Sequence, residues 1–552
     1  MKMQLYLILV MSFTVLLGCK SSVPESKVTD VIRLNSLGFL PGAVKQASLT
    51  QDAKKFHIRD AASGKIVFKG KAADPVTQAD VNQTIWIADF SQVKIPGAYY
   101  LEIPGVGRST DFSISDKVYN DAYITSMRAF YLWRCGMEVQ GDYNGIHYHQ
   151  YACHLNDGYE DYVGNKEVHR DGTQGWHDAG DYGKYTVNAG VTVGVLFMAW
   201  ENFQSRLNSI SLDLPETASG FPEFLKEMKW EIDWLLKMQY SDGSGRVSHK
   251  LTRTSFSGFI MPDKDDGKRY FTEWGSAATA SFVAMMAQAA RIFEPYDKEY
   301  AKKCLDAATV SYRFLVRNPE DKGFVQGDFN TGGYQTSDPD DRIWAAAEMW
   351  ATTGDVQYLA DFEDRARKMD FTVEENWDWG NVSNLGMFTY ILSERQGKDK
   401  NVEEAIRRNI ISVSNQIVDN IHNDVYRRPL PGRYYWGCNG GVARQTVNLF
   451  VADKLSPDKK YENAALDIIG HLFGRNYYNR SYITGLGINP PMFPHDRRSA
   501  ADNIADPWPG YIVGGGHTAT DWIDEEGSFS HNEVAINWQA PLVFALGWFV
   551  QK

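Results

Sequence analysis

The chain has 552 residues, more than one hydrophobic core usually supports, so at least two domains are expected. Its 43% hydrophobic and 23% charged residues are those of an ordinary globular protein, and a formal net charge of −12 excludes nucleic acid and other partners gripped through phosphates. An aromatic share of 13% suits a carbohydrate partner, because the apolar faces of sugar rings stack on aromatic rings, and it suits a Trp-rich helical core equally well.

The first residues point to export. Lys2 supplies a positive start, the apolar run from Leu5 to Leu17 is too short to span a bilayer, and Leu16-Leu17-Gly18-Cys19 forms a cleavage site. Gly before Cys resembles a bacterial lipobox. Residues 1–18 are then a lipoprotein signal peptide, Cys19 the lipid-modified first residue, and 19–29 a polar tether that ties the protein to a membrane. A plain secretory signal with an incidental Cys is the competing reading. The expected location is the cell envelope, with the periplasmic and outer faces both open. No later stretch approaches the ~20 apolar residues that a span requires.

Residues 30–116 read as strands: Val31 to Leu34, Gln46 to Leu49, Phe56 to Ile58, Ile66 to Phe68, Thr84 to Ile87 and Ala98 to Leu101. Leu40-Pro41-Gly42, Ile95-Pro96-Gly97 and Ile103-Pro104-Gly105 punctuate them, a spacing that predicts a small β-sandwich. From Tyr119 the period becomes helical. Between Phe221 and Gln239 the residues Phe224, Leu225, Met228, Ile232, Leu235 and Leu236 recur at steps of three and four. Further helices are predicted at Ser276 to Phe293, Ala301 to Val316, Ile343 to Thr352, Val402 to Ile421, Val442 to Leu455, Tyr461 to Phe473 and Glu533 to Val550. Long loops separate them, notably Gly243 to Tyr270, Asp328 to Asp341 and Tyr477 to Ser530, and loops of that length usually carry function. One catalytic domain is expected over 119–552, built from antiparallel helix pairs with its site on the loops at one end.

Several constellations could carry chemistry. In Gly175-Trp176-His177-Asp178-Ala179-Gly180-Asp181-Tyr182-Gly183-Lys184 two carboxylates three residues apart, among glycines and aromatics, can share one water molecule, as a general base requires; a turn or a cation loop reads equally well. Glu533, in Ser530-His531-Asn532-Glu533-Val534, stands before a final apolar helix. It either favours the helix dipole or, facing a cleft near Trp538 and Phe529, holds a proton for a leaving oxygen. His495 and Arg497 follow Pro494 in a rigid Pro/Gly loop suited to gripping hydroxyls, or to a structural ion pair. Cys135, Cys153, His154 and His177 form a Cys2His2 set that would suit zinc, while an exported Cys135–Cys153 disulfide is the alternative.

Together these stretches resemble glycoside hydrolase family 9, the cellulase family built on an (α/α)6 barrel, from about residue 31 to the C-terminus. Ser481, Ile483, Thr484, Gly487, Asn489, Pro494, His495 and Arg497 match the family's histidine signature; Trp522, Asp524, Phe529, Glu533 and Ala535 match its acidic one, with Gln539 where Asn is usual. The resemblance implies that Asp181 is the base, Asp178 its assistant and Glu533 the acid, with His495, Arg497 and Asp524 near the substrate. Trp344, Trp377, Trp379, Trp436 and Trp538 are candidates for lining the subsites, Trp377 and Trp436 foremost. Ile32-Arg33-Leu34-Asn35 through Pro41 resembles the immunoglobulin-like module of one branch of the family. That branch carries structural zinc at the positions of Cys135, Cys153, His154 and His177, which turns the choice toward zinc. Calcium is common after Thr-Gly-x-Tyr in the family, but after Thr331-Gly332-Gly333-Tyr334 the chain has Thr336 where Asp is expected and Arg342 where Glu is expected, an incomplete donor set.

The implied activity is inverting, endo-acting hydrolysis of a β-1,4-glucan, whether cellulose-like, mixed-linkage or xyloglucan, by a monomer. An exo-acting enzyme on oligosaccharides, including amino sugars, is the alternative within the fold. A non-catalytic glycan-binding lipoprotein would have no use for the acid and base pair, and a polysaccharide lyase would need basic residues for uronates.

Overall fold

The computed structural model describes residues 27–160, 168–216 and 221–551. Cys19, the signal segment and most of the tether lie outside the described residues.

Strands β1 (Ile32–Arg33), β3 (Gln46–Leu49), β7 (Gln83–Asp89) and β6 (Val76–Gln78) form one sheet in the order β1-β3-β7-β6. The second sheet runs β2 (Gly38–Phe39), β10 (Phe112–Ile114), β8 (Gly97–Ile103), β4 (Phe56–Asp60), β5 (Ile66–Gly70), with β9 (Gly107–Arg108) added to β8. Alternation closes the sandwich: Phe56 and Ile58 on β4 and Tyr99, Leu101 and Ile103 on β8 point into one core with Phe39, Leu49, Phe90 and Phe112. Four of the short strands, β2, β6, β9 and β10, escape the sequence reading because two or three residues show no usable alternation.

The sandwich is seated on the helical domain. Ser48 Oγ donates to the Val425 carbonyl at 2.6 Å, Gln78 bonds both the Asp424 carboxylate (2.9 Å) and the Val425 N–H (2.8 Å), and Val81 and Ile85 pack with Val425, Tyr426 and Ala519.

The helical domain is an (α/α)6 barrel. The inner helices are α2 (Thr186–Leu207), α4 (Ser276–Phe293), α6 (Pro339–Thr353), α8 (Ser383–Leu392), α10 (Cys438–Leu455) and α14 (Ile536–Phe549). Around them lie α1 (Asn120–Leu132), α3 (Glu223–Met238), α5 (Lys298–Arg317), α7 (Val356–Lys368), α9 (Lys400–Asn423) and α11 (Lys459–Leu472). Inner helices such as α2 and α4 are buried nearly all round, whereas α5, α7, α9 and α11 each bury one stripe. The sequence reading finds outer α3, α5, α9 and α11 by their period and inner α4, α6 and α10 as apolar runs, and it misses α1, α2, α7 and α8. Within the two rings, side-chain N-capping is confined to four outer helices, α1 and α3 having none. Asp297, Asp355, Asp399 and Asp458 cap α5, α7, α9 and α11 through their side chains, while no inner helix has a side-chain N-cap. The first turns of the inner helices lie beneath the loops that form the cleft.

The final helix starts later than the sequence suggests. Two short helices, α12 (Arg497–Ala501) and α13 (Phe529–Asn532), precede it, and Glu533 follows α13 with extended backbone angles of −69° and 157°. Because α14 begins only at Ile536, Glu533 is not in the final helix.

Candidate active site

The loops entering the inner helices gather the chemistry. Asp178 and Asp181 precede α2, Tyr334 precedes α6, Trp379 precedes α8, Trp436 precedes α10 and Glu533 precedes α14. The 178–183 turn is closed by Asp178 N–H to the Gly183 carbonyl (3.0 Å) and by Gly183 N–H to Asp181 Oδ2 (2.8 Å). Gly180 is required by close approach: a methyl group there would stand 2.0 Å from the His495 carbonyl oxygen.

Three backbone bridges then align the other side. Glu533 pairs in parallel with His495, Val534 pairs with Val513, and Ala535 pairs with Ala179, while Ile536 N–H donates to the Asp178 carbonyl at 2.9 Å. Residues separated by most of the barrel sequence are thereby joined as short strands.

The three carboxyls differ in their surroundings. Asp178 is buried and engaged on both oxygens, Oδ1 by Asn188 Nδ2 and Oδ2 by the Tyr334 hydroxyl, each at 2.7 Å. Burial, reinforced by the Asp181 charge, raises its carboxyl to about 8. Asp181 receives Gly183 N–H and the Tyr185 hydroxyl (3.3 Å), both on Oδ2; among the described residues no donor reaches Oδ1, which is left for water. Burial first, then the Asp181 and Asp178 charges, push Glu533 well above the usual carboxylate range, with Arg497 and the bonded Trp436 side chain pulling the other way. A carboxyl that keeps its proton thus shares the cluster with Asp181, whose Oδ1 has no donor among the described residues, the division of roles that acid–base catalysis needs.

The remaining sequence candidates separate into two groups. His495 lies at the cleft, its Nδ1 2.7 Å from the Glu526 carbonyl and its ring 5.2 Å from Phe259 and 6.0 Å from Phe529. Arg497 donates to the carbonyls of Gly180 (2.7 Å) and Ser257 (3.1 Å), so it braces the base turn. Trp436 is 47% exposed and meets Phe529 edge-on at 5.4 Å. Trp377 is corrected: at 1% exposure, with its Nε1 donating to Asn448 Oδ1 at 3.0 Å, it has no face to offer a sugar and belongs to the core. Asp524 is likewise corrected to a loop tie, its carboxylate accepting from Arg480, the N–H groups of Met492 and Phe493, and Asn532. Trp344 is also buried, Trp538 packs its indole on Gly437 and Gly440, and Trp379 stands 5.1 Å from the Tyr334 ring. Sequence reasoning missed the roles of Tyr334 and Asn188 on Asp178 and the exposed Phe256 and Phe259; the φ of +44° at Tyr334 is visible only in the structure.

Behind the base turn, one ligand atom each from Cys135, Cys153, His154 and His177 lie within 4.8 Å of one another. Cys135 Sγ is 3.6 Å from His154 Nδ1 and Cys153 Sγ 3.8 Å from His177 Nε2, close to the roughly 3.3–3.8 Å edges of a tetrahedral zinc site. His154 takes a left-handed φ of +51°, and its outer Nε2 meets Asp265 Oδ2 at 3.3 Å, the carboxylate partner that metal-binding histidines usually have. All four cysteines of the described residues are free thiols, so the Cys135–Cys153 disulfide is not formed. The donor set fits a metal. At the calcium loop Thr336 bonds the Gly380 carbonyl, Asp341 is buried against Ser281, and Arg342 pairs with Asp338 at 2.7 Å. No metal-binding group of His, Cys, Asp and Glu forms there among the described residues.

Comparison with known proteins agrees with this architecture. The model of glycosyl hydrolase family 9 matches residues 119–546 and that of the cellulase N-terminal ig-like domain residues 27–108. Endoglucanase D of Acetivibrio thermocellus is 54% identical over 539 residues, covering 96% of this chain and 86% of that protein. A xyloglucan-specific endo-beta-1,4-glucanase of Bacteroides ovatus is 31% identical, covering 93% and 92%. The crystal structure of a Zn-binding triple mutant of GH family 9 endoglucanase J30 superposes with a TM-score of 0.88 at 30% identity over 93% of this chain and 99% of that one. The chain belongs to glycosyl hydrolase family 9, a glycoside hydrolase behind an immunoglobulin-like N-terminal domain.

Proposed function

We propose that the protein hydrolyses internal β-1,4 bonds of a soluble β-glucan with inversion, Glu533 protonating the glycosidic oxygen while Asp181 takes a proton from water attacking the opposite face of the sugar. The observation that carries this reading is the unequal occupancy of the two aspartates. Asp178 has both oxygens committed to Asn188 and Tyr334, whereas Asp181 keeps Oδ1 open beside a protonated Glu533. Asp178 then holds the Tyr334 and Asn188 side of the water site, the Trp436 side chain bonds the acid, and the Arg497 charge, anchored on the Gly180 carbonyl, favours the carboxylate left once the proton has gone. Inversion requires the two reacting carboxyls about 6.5–9.5 Å apart, with room for the water. Trp436, Phe529, His495 and Phe259, in contact as a run of rings, supply an aromatic ledge for the glucan.

Zinc on Cys135, Cys153, His154 and His177 would be structural, four protein ligands leaving no open position; the cluster staples the segment of α1 to the base turn. Lipidation of Cys19, attachment to a cell-envelope membrane and a monomeric state complete the reading. Cellulose-like, mixed-linkage and xyloglucan substrates all share the backbone bond that the carboxyls address.

The deciding experiment is product release from barley β-glucan, xyloglucan and carboxymethyl cellulose, resolved by chain length. Mixed oligomers from the outset support endo action; release of terminal units alone would transfer the assignment to an exo-glycosidase, and no release from any of the three would sink it.

A further inference from the structure

Asp265 belongs to no motif, yet it joins the metal cluster to the cleft. It is buried, its Oδ2 meeting the outer nitrogen of His154 at 3.3 Å and its Oδ1 pairing with Arg253. Arg253 and Asp265 stand at the two ends of one loop, so their ion pair clasps it shut. Within the loop, Ile260 accepts from the Tyr182 hydroxyl at 2.5 Å, and the Tyr182 ring lies 4.9 Å from His177 and 6.0 Å from His154. Further along, Ser257 accepts from Arg497 Nε at 3.1 Å, and the Arg497 guanidinium lies 5.3 Å from the Phe256 ring and 5.8 Å from the Phe259 ring. One of the three tethers runs to a metal-binding histidine, the second to Tyr182, whose ring packs beside both histidines, and the third to the base-turn brace. The two phenylalanines are 46% and 41% exposed, and Arg253, Phe256, Ser257 and Asp265 line the same recess as Asp181.

We propose that Asp265 is a positioning residue: it couples the Cys2His2 cluster to the 253–266 loop and so sets the Phe256–Phe259 wall against which the glucan lies. This rests on the reading of the site as a glucanase. A carboxylate on the outer nitrogen fixes the ring of a metal-binding histidine. The same bond, read in the other direction, lets a ring held by the metal fix the carboxylate, and with it Arg253 and the loop between them.

The test uses the full chain with zinc, beside Asp265→Asn and Arg253→Gln, the second of which does not touch the cluster. Zinc content by elemental analysis should stay at the wild-type value for Arg253→Gln. Amide hydrogen exchange across 253–266 should rise in both variants, and in the wild type after chelation, while the immunoglobulin-like strands keep their protection. On a long soluble glucan KM should rise about tenfold with kcat within about twofold, the mark of lost binding rather than lost chemistry. Exchange at the wild-type level in both variants overturns the proposal, as does a KM that moves less than about twofold or a fall confined to kcat. If the wild type cleaves no glucan, the proposed function fails separately, and the exchange measurement alone decides the coupling.

Discussion

Ala179 and Ala535 pair as an antiparallel backbone bridge, and this one contact brings the base turn and the acid segment edge to edge. Each alanine lies two residues from a reacting carboxylate, Asp181 on one strand and Glu533 on the other. The separation of acid and base is thus set by main chain, the stiffest part of the structure, and side-chain changes at the carboxyls should alter chemistry with little effect on fold.

Accordingly, Glu533→Gln and Asp181→Asn should each lower kcat by at least about 10²-fold, the usual worth of a general acid or base. Both should still bind cellotetraose and give the wild-type circular dichroism. Retained turnover in either variant would remove that residue from its role.

The stereochemistry follows from the same pair. Proton NMR during hydrolysis of a β-glucan should show the α-anomer at the new reducing end before mutarotation, because the water attacks from the face opposite the leaving oxygen. Initial appearance of the β-anomer would mean a covalent intermediate and a different nucleophile.

Asp178→Asn should raise thermal stability while lowering activity. The folded-state pKa of Asp178, about 8, exceeds that of the unfolded chain, so between roughly pH 4 and pH 8 the folded protein holds a proton that the unfolded chain has released. Wild-type stability attributable to this group therefore falls as pH rises through that window. The amide carries no such penalty, and the Tm advantage of the variant should be larger at pH 8 than at pH 4.5. A constant difference across that range would mean that Asp178 titrates normally.

Gly180→Ala tests the close approach of the base turn to His495. With its new methyl carbon 2.0 Å from the His495 carbonyl oxygen, one of the two segments must move. A displacement of about 1 Å at a catalytic group can cost on the order of 10²-fold in rate. A loss of that size, with a Tm reduced by only a few degrees, is expected; activity near wild type would show that the turn yields freely.

Stripping the metal with a strong chelator should lower Tm by more than about 5 °C and expose Cys135 and Cys153 to thiol reagents, since binding energy at a structural site is folding energy. Elemental analysis of untreated protein should give one zinc per chain. Protein that is metal-free as isolated and equally stable would assign the four side chains a different purpose.

Much of this site is legible in the sequence because its reacting residues lie in short, locally encoded turns. Asp178 and Asp181 share one glycine-rich stretch, and Glu533 falls in a spaced signature whose aromatic and small residues have local roles. Partners reached across the fold leave no such trace: Tyr334 and Asp178 are 156 positions apart, and Asp265 and His154 are 111 apart. Trp377 shows the converse, since a tryptophan in a polar loop reads the same whether its ring faces a cleft or Asn448. Outer helices α3, α5, α9 and α11 are readable because one-sided burial imposes a period, and inner α4, α6 and α10 as apolar runs; α1, α2, α7 and α8 are not read, and the apolar run after Glu533 says little about where the first turn of α14 begins.

Helix α14 packs against both α2 and α10 and so completes the ring, while the segment that leads into it carries Glu533. During synthesis the chain must therefore wait, with the flanks of α2 and α10 uncovered, until this late element leaves the ribosome. Assembly of the barrel and completion of the catalytic pair become a single event: a nascent or prematurely terminated chain would present bare apolar helices and no acid, making it at once inactive and a target for chaperones and proteases.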